Sequence, residues 1–197
     1  MKKSLLLGII GAGALSTAAF GQGIQVGNYT GDSGFIGSPI VYAASAVPAG
    51  DAGLTIGSEF SGEFYYAIGA VTVGNPLTAL PSSLEAFYGS DGGSGDGSGY
   101  QAGVLLSIPG WTSGAVNFQW DVFNTATVGT YAPGTLVGQS AIFQMTPVTD
   151  PSPSHPDMST AVGYAPFTVA AVPEPTTLAL AGLGGLASLM AFRRKKA

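Results

Sequence analysis

The sequence has no basic residue over nearly its whole length. Its six Lys and Arg residues stand at the two ends, and none lies between Ser4 and Phe192. Glu174 is one of eleven acidic residues, and the other ten lie in the stretch 22–171. An acidic stretch without a basic patch cannot neutralise phosphate groups. We therefore exclude nucleic acid as a partner.

Cysteine is absent, and histidine occurs once, at His155. Without Cys or Lys in the stretch 22–171, thiol and Schiff-base nucleophiles are missing there. One histidine cannot supply the several His or Cys ligands of a usual zinc site. Because His155 stands among prolines, we expect a solvated side chain rather than the histidine of a Ser-His-Asp triad. The sequence predicts no catalytic residue and no enzymatic activity.

Residues 1–21 have the three parts of an export signal. Lys2 and Lys3 give a short positive segment, and an apolar segment too short to span a membrane follows. Ala19 and Gly21 then place small side chains at the −3 and −1 positions of a cleavage site. We predict that signal peptidase cleaves the chain after Gly21.

The pattern of the central stretch is typical of β-strands. Val116, Phe118, Trp120 and Val122 alternate with polar residues, which predicts a half-buried strand with Trp120 in the core. Turn residues separate the other apolar runs at spacings typical of antiparallel sandwiches. We predict an all-β fold, an antiparallel β-sandwich of about seven to nine strands, jelly-roll or immunoglobulin-like. The predicted strands are 24–29, 39–46, 63–73, 84–88, 100–108, 114–123, 140–148 and 164–172.

The central stretch divides into three parts. We predict a β-sandwich ectodomain at 22–149, a Pro/Ser-rich linker at 150–163 and the final strand of the ectodomain at 164–171. A chain of this size can bury a sufficient core without disulfides.

A Gly/Ser-rich segment carries the best candidate for a metal site. Asp91 and Asp96 lie within the run Asp-Gly-Gly-Ser-Gly-Asp-Gly-Ser-Gly. Calcium binds carboxylate and carbonyl oxygens, and glycines let a loop close around the ion. The spacing matches neither an EF-hand nor a calcium β-roll, and a flexible insertion between strands is the alternative. We predict no required cofactor and keep Asp91 and Asp96 as candidate calcium ligands.

Two sets of side chains suit sugar chemistry. Glu59, Glu63 and Glu85 would be the acids of a polysaccharide hydrolase, although carboxylates on strands more often form a solvated face. Aromatic rings can stack on sugars, and Trp111 is expected to be exposed because it follows a Pro-Gly turn. The other aromatic candidates are Tyr65, Tyr66, Tyr88, Tyr100 and Tyr131.

The carboxyl end combines a proline motif, an apolar segment and a basic terminus. Two prolines around one glutamate hold the backbone extended, as a processing enzyme requires. Residues 176–192 are uncharged and just long enough for a transmembrane helix. The terminal basic residues would stay on the cytoplasmic side. The motif is Val172, Pro173, Glu174 and Pro175, and the basic residues are Arg193, Arg194, Lys195 and Lys196.

This arrangement resembles the bacterial PEP-CTERM sorting signal, which membrane enzymes of the exosortase type read. The resemblance covers residues 172–197. It implies a membrane-anchored precursor, cleavage near the motif, and delivery to the cell surface or the extracellular matrix. A permanent anchor without processing is the alternative. Residues 84–89, 116–121 and 138–143 also resemble, more loosely, an ectodomain type of PEP-CTERM proteins that has no known activity.

We predict an exported protein of the cell surface or matrix with a structural or adhesive role. Extracellular polysaccharide is a candidate partner, beside signal peptidase and the exosortase. A carbohydrate-binding module is the alternative function, and a polysaccharide hydrolase is the third.

Overall fold

The computed structural model describes residues 23–30, 34–44, 50–93, 96–128, 132–149 and 155–172. Within these ranges the chain is all-β, which confirms the predicted fold class. One 3-10 turn, Met158–Thr160, accompanies the strands. The strands are β1 (Ile24–Val26), β2 (Tyr29–Thr30), β3 (Gly34–Phe35), β4 (Val41–Tyr42), β5 (Phe60–Ile68), β6 (Thr78–Ala86), β7 (Val104–Leu106), β8 (Val116–Asn124), β9 (Leu136–Gln139), β10 (Phe143–Met145) and β11 (Thr168–Ala171).

Seven strands form one open sheet. Its order is β4-β11-β9-β8-β5-β6, and β10 pairs with the end of β8 that β9 leaves uncovered. The neighbours pair in antiparallel fashion, as predicted, except β4 and β11, which are parallel. No hairpin joins β4 to β11, because they lie near opposite ends of the described chain. Their relative direction is therefore not fixed by a short connection.

The centre of the sheet is the pairing of β5 with β8. It runs without a break from Phe60 opposite Asn124 to Ile68 opposite Val116. The inner face of β8 is buried, including Trp120, so the alternation predicted from the sequence is confirmed. The other face of β8 carries the buried Asn117 and the partly buried Gln119, Asp121 and Phe123.

Aromatic rings fill the core beneath these strands. The ring of Trp120 stacks on Phe64 at 5.0 Å between centroids and on Phe87 at 5.7 Å. Phe167 meets the same indole edge-on at 5.5 Å. A side chain as large as Trp120 buries about 150–250 Å², which corresponds to roughly 4–6 kcal/mol of transfer free energy.

Two short strand pairs lie outside the main sheet. β1 pairs with β7, and β2 pairs with β3, both antiparallel. Ile24, Val26 and Leu106 of the first pair belong to the same buried cluster as Phe64 and Trp120. The main sheet and the β1–β7 pair therefore share one hydrophobic core.

The region expected to be a linker joins this core in its second half. Asp157 and Met158 are buried, and the Asp157 carboxylate accepts a hydrogen bond from Oγ1 of Thr30 at 3.1 Å. The backbone carbonyl of Pro156 accepts a further hydrogen bond from the amide of Gln25 at 2.9 Å. These contacts fasten residues 156–158 to the strands near the beginning of the described chain.

Candidate functional site

Most of the predicted sorting and export residues lie outside the described part of the chain. Among the described residues, no helix has the length and apolar character needed to cross a membrane. Of the sorting motif, the structure places Val172 alone. The predicted residues outside the described ranges are Ala19, Gly21, Pro173, Glu174, Pro175, Arg193, Arg194, Lys195 and Lys196, together with the predicted helix 176–192.

The motif begins directly at the end of an interior strand. Thr168 and Val169 of β11 pair with β4, while Ala170 and Ala171 pair with β9. The amide of Val172 still donates to the backbone carbonyl oxygen of Thr135 at 2.8 Å. The ordered sheet therefore continues up to the first residue of the motif.

Asp96 organises the Gly-rich loop. Its carboxylate accepts hydrogen bonds from the amide and hydroxyl of Ser90, each at 2.9 Å, and from the amide of Ser98 at 3.1 Å. The hydroxyl of Ser98 contacts both this carboxylate and the backbone carbonyl oxygen of Ser90, the latter at 2.7 Å, and its single proton can serve one of them at a time. These donors, led by the Ser98 hydroxyl, hold the pKa of Asp96 below its usual range. An ionised carboxylate has about four acceptor positions, so the loop itself occupies at least three of them.

Asp91 contacts a different partner. The hydroxyl of Tyr42 donates to its carboxylate at 2.6 Å. Burial raises the pKa of Asp91 against the opposing effect of this hydrogen bond, and nearby Glu59 and Asp51 raise it further. Burial and Asp91 likewise raise the pKa of Tyr42. Among the described residues, no three His, Cys, Asp or Glu side chains are grouped to hold a metal. Calcium at Asp91 and Asp96 stays a prediction.

The three candidate acids of a hydrolase lie in different settings. Glu63 stands on β5 directly opposite Asp121 of β8, while Glu85 on β6 is exposed and lies opposite Gly62. Glu59 precedes β5, and its Oε2 atom is buried without a hydrogen-bond partner. The structure thus gives Glu63 a neighbour, Asp121, that the sequence did not indicate.

Asp121 is held on the outer face of the sheet. The side-chain amide of Gln139 donates to its carboxylate at 2.9 Å. Burial nevertheless raises the pKa of Asp121. Like charges directly opposite each other destabilise a strand pair, so Glu63 and Asp121 form a costly position in the centre of the sheet.

His155 is partly buried, and the expectation of a solvated side chain is wrong in this respect. Its Nδ1 atom is buried and has no hydrogen-bond partner among the described residues. A triad histidine needs a carboxylate at that nitrogen.

Trp111, which was expected to be exposed, is 4% exposed and belongs to the core cluster. Its indole nitrogen donates to the carbonyl oxygen of Gly114 at 2.7 Å. This contact satisfies the one polar atom of the ring, so burial removes a large apolar surface from water at little cost. The preceding Pro-Gly turn determines the direction of the chain but not the position of the indole.

Four aromatic rings meet on the surface beside the Gly-rich loop. Tyr29 lies 4.9 Å from Phe35 and 5.6 Å from Tyr88, and Phe35 lies 4.5 Å from Tyr100, measured between ring centroids. Phe35 is 60% exposed and Tyr88 is 41% exposed. We call these four residues the aromatic patch. The sequence pointed to Tyr88 and Tyr100 but not to Tyr29 and Phe35, which come from a distant part of the chain.

Two surface depressions adjoin the aromatic patch. One, of about 450 Å³, is lined by Tyr29, Phe35 and Tyr88 of the patch together with Asp96 and Gly97. The other, of about 380 Å³, shares Phe35 and Gly97 with the first and extends to Tyr100. Phe35 therefore lines both depressions.

Comparison with known proteins agrees with the carboxyl-terminal pattern. No curated protein and no solved structure matches the chain. Residues 171–195 match the family model described as the PEP-CTERM protein-sorting motif. This match begins at Ala171, the last residue of β11. The chain therefore carries the PEP-CTERM sorting signal, which marks it as an exported substrate of an exosortase-type enzyme.

Proposed function

We propose that this protein is processed at its sorting motif and works as a non-enzymatic structural or adhesive component of the cell surface or extracellular matrix. Signal peptidase removes residues 1–21, and a helix at 176–192 then holds the precursor in the membrane. The exosortase-type enzyme cleaves near Pro173–Pro175 and releases the apolar segment with its basic end. The sorting motif supports export and recognition by this enzyme.

The junction between β11 and the motif carries the proposal. Val172 is the last residue bonded to the sheet in the described chain, and the prolines follow at once. Proline lacks an amide donor and holds the chain extended, so the motif suits the extended binding cleft of a processing enzyme. Cleavage at Glu174 or Pro175 would remove no strand of the described domain, which can therefore be delivered in its folded form.

We further propose that the ectodomain is a β-sandwich. The β1–β7 pair contributes to the same buried cluster as the main sheet, which supports a second layer over its inner face. The absence of cysteine from the sequence means that this core, rather than disulfides, would maintain the fold outside the cell.

Processing is tested by expressing the full chain in hosts with and without an exosortase. We expect an extracellular form with exosortase, whose intact mass lacks the residues after the motif, and a full-length membrane-bound form without it. Replacing Pro173, Glu174 and Pro175 together by Ala should keep the protein in the membrane. The matched control is Pro166→Ala, a change at an exposed proline outside the motif. A mature protein that retains residues 176–197 would contradict the proposal.

A further inference from the structure

We propose that the aromatic patch, together with Asp96, is a binding site for a cationic amino-sugar polysaccharide. The site lies where Phe35 separates the two surface depressions beside the Gly-rich loop. This inference rests on the function proposed above, because it names the class of polymer that a matrix protein would hold.

The shape of the site suits a ligand with repeated units. The depressions of about 450 and about 380 Å³ share Phe35 and Gly97, so a chain lying across Phe35 would occupy both. Each volume falls within the range of ordinary small-molecule sites, roughly 300–1,000 Å³.

The rings supply a surface that sugars recognise. Phe35 and Tyr88 are exposed, although most large aromatic side chains of the described residues lie in the core. The contacts among the four rings hold them in place, and the hydroxyl of Tyr100 donates to the carbonyl oxygen of Gly37 at 3.2 Å. A surface that is already ordered loses little conformational freedom when a ligand binds.

The charge of the site selects a cation. The amide and hydroxyl of Ser90 and the amide of Ser98 occupy three of the about four acceptor positions of Asp96, which leaves about one position for a donor of the ligand. The negative charge of Asp96 remains and faces the depression beside Tyr88. An ammonium group is attracted both by that charge and by the faces of aromatic rings. Protonated amino sugars combine this group with a ring that can stack.

The net negative charge of residues 22–171 also favours a cationic ligand. Ten acidic residues and no Lys or Arg lie between residues 22 and 171. Such a surface repels uronic-acid or sulfated polymers and attracts cationic ones. A basic peptide shares the charge, but it would lose more conformational freedom than a stiff sugar chain in lying across both depressions.

The test is calorimetric titration of the purified full-length chain with a glucosamine hexamer whose amines are protonated. We expect saturable binding that weakens with salt. The N-acetylated hexamer should bind at least tenfold more weakly, and a galacturonic-acid hexamer should not bind. Phe35→Ala and Tyr88→Ala should each weaken binding of the glucosamine hexamer about tenfold. The matched control is Val73→Ala, at a fully exposed apolar residue outside the patch.

Several results would overturn the inference. Absence of binding to the glucosamine hexamer is one such result, and unchanged binding of this hexamer by Phe35→Ala is another. Equal affinity for a hexalysine peptide would show attraction by charge alone, and equal affinity for the N-acetylated hexamer would remove the role of the ammonium groups. Failure of the sorting proposal would be seen instead as membrane retention in cells, and it would not change this titration.

Discussion

A Cβ atom built on Gly62 would lie less than 3.0 Å from the indole nitrogen of Trp120. The same atom would lie 2.7 Å from the side-chain oxygen of Gln101, which is also buried. Gly62 occupies β5 at the point where the indole stacks between Phe64 and Phe87. The absence of a side chain at residue 62 therefore sets the position of the largest ring in the core.

Gly62→Ala should destabilise the protein by about 1–3 kcal/mol, because the added methyl group overpacks the core against Trp120. The free energy of unfolding from urea titration measures this loss. Gly50→Ala is the matched control, since nothing lies within 4 Å of a Cβ at that position. The control should stay within about 0.5 kcal/mol of the native chain. Equal losses in the two variants would contradict this account of Gly62.

Ser83→Ala should cost about 1–3 kcal/mol, because it leaves the buried amide of Phe64 without an acceptor. The Ser83 hydroxyl accepts from that amide at 2.8 Å and donates to the carbonyl oxygen of Leu80 at 2.6 Å. It fills the irregularity where the register of β5 and β6 shifts. Ser82→Ala, at the exposed neighbouring residue, is the control. The free energy of unfolding of both variants in urea measures this cost. A Ser83→Ala variant as stable as the native chain would show that water satisfies the amide of Phe64.

Asp91 and Asp96 should respond to pH in opposite directions. Burial raises the pKa of Asp91 in the folded state above 3.8, so its contribution to stability is greatest below that value. This contribution is lost as pH rises through the raised pKa. Hydrogen bonds lower the pKa of Asp96, so its contribution is present above 3.8 and lost as pH falls through the lowered pKa.

Thermal melting of Asp91→Asn and Asp96→Asn over a series of pH values tests this. At pH 7, Asp91→Asn should raise the melting temperature, because Asn still accepts from Tyr42 without carrying a buried charge. Asp96→Asn should lower it, because at least three hydrogen bonds lose their ionised acceptor. The difference in melting temperature between each variant and the native chain should become smaller as the pH is lowered. If both variants shifted the melting temperature in the same direction at pH 7, the opposite contributions of Asp91 and Asp96 to stability would be contradicted.

The mature protein should resist trypsin even when it is unfolded. Cleavage after Gly21 and within the sorting motif would leave a chain without Lys or Arg. Digestion in urea followed by mass spectrometry should give an intact mature chain, while the unprocessed precursor loses its ends. A chymotrypsin digest in the same buffer is the control, because that enzyme cleaves after aromatic residues. Tryptic peptides that end inside the range 22–171 would contradict the sequence itself, and a cut at Arg193 would contradict processing.

The sequence predicted the regular strands well and the irregular ones poorly. β8 was found because apolar and polar residues alternate along it. β6 begins at Thr78 and passes through Pro81, a residue that argues against a central strand. The structure resolves this conflict, because β6 is the edge of the sheet, where a missing amide donor is tolerated. The short strand β9 was missed, since it has two exposed positions and a glycine.

Residues in the candidate sites were predictable only where they are close in sequence. The tail could be identified because its motif, apolar segment and basic end follow one another. The aromatic patch could not, since Tyr29 and Tyr100 are brought together by the folding of distant segments. The pairing of Glu63 with Asp121 depends in the same way on the register of β5 and β8.

The interior position of β11 bears on how the protein withstands mechanical load. While the tail is anchored, tension on the chain enters the domain at Val172 and passes directly into β11. That strand is bonded on both sides, to β4 and to β9. The pairs with β9 lie next to Val172 and the pairs with β4 lie further along the strand, so the contacts with both neighbours must separate before β11 leaves the sheet. The domain is thus attached at a point suited to resist being drawn open by its own anchor.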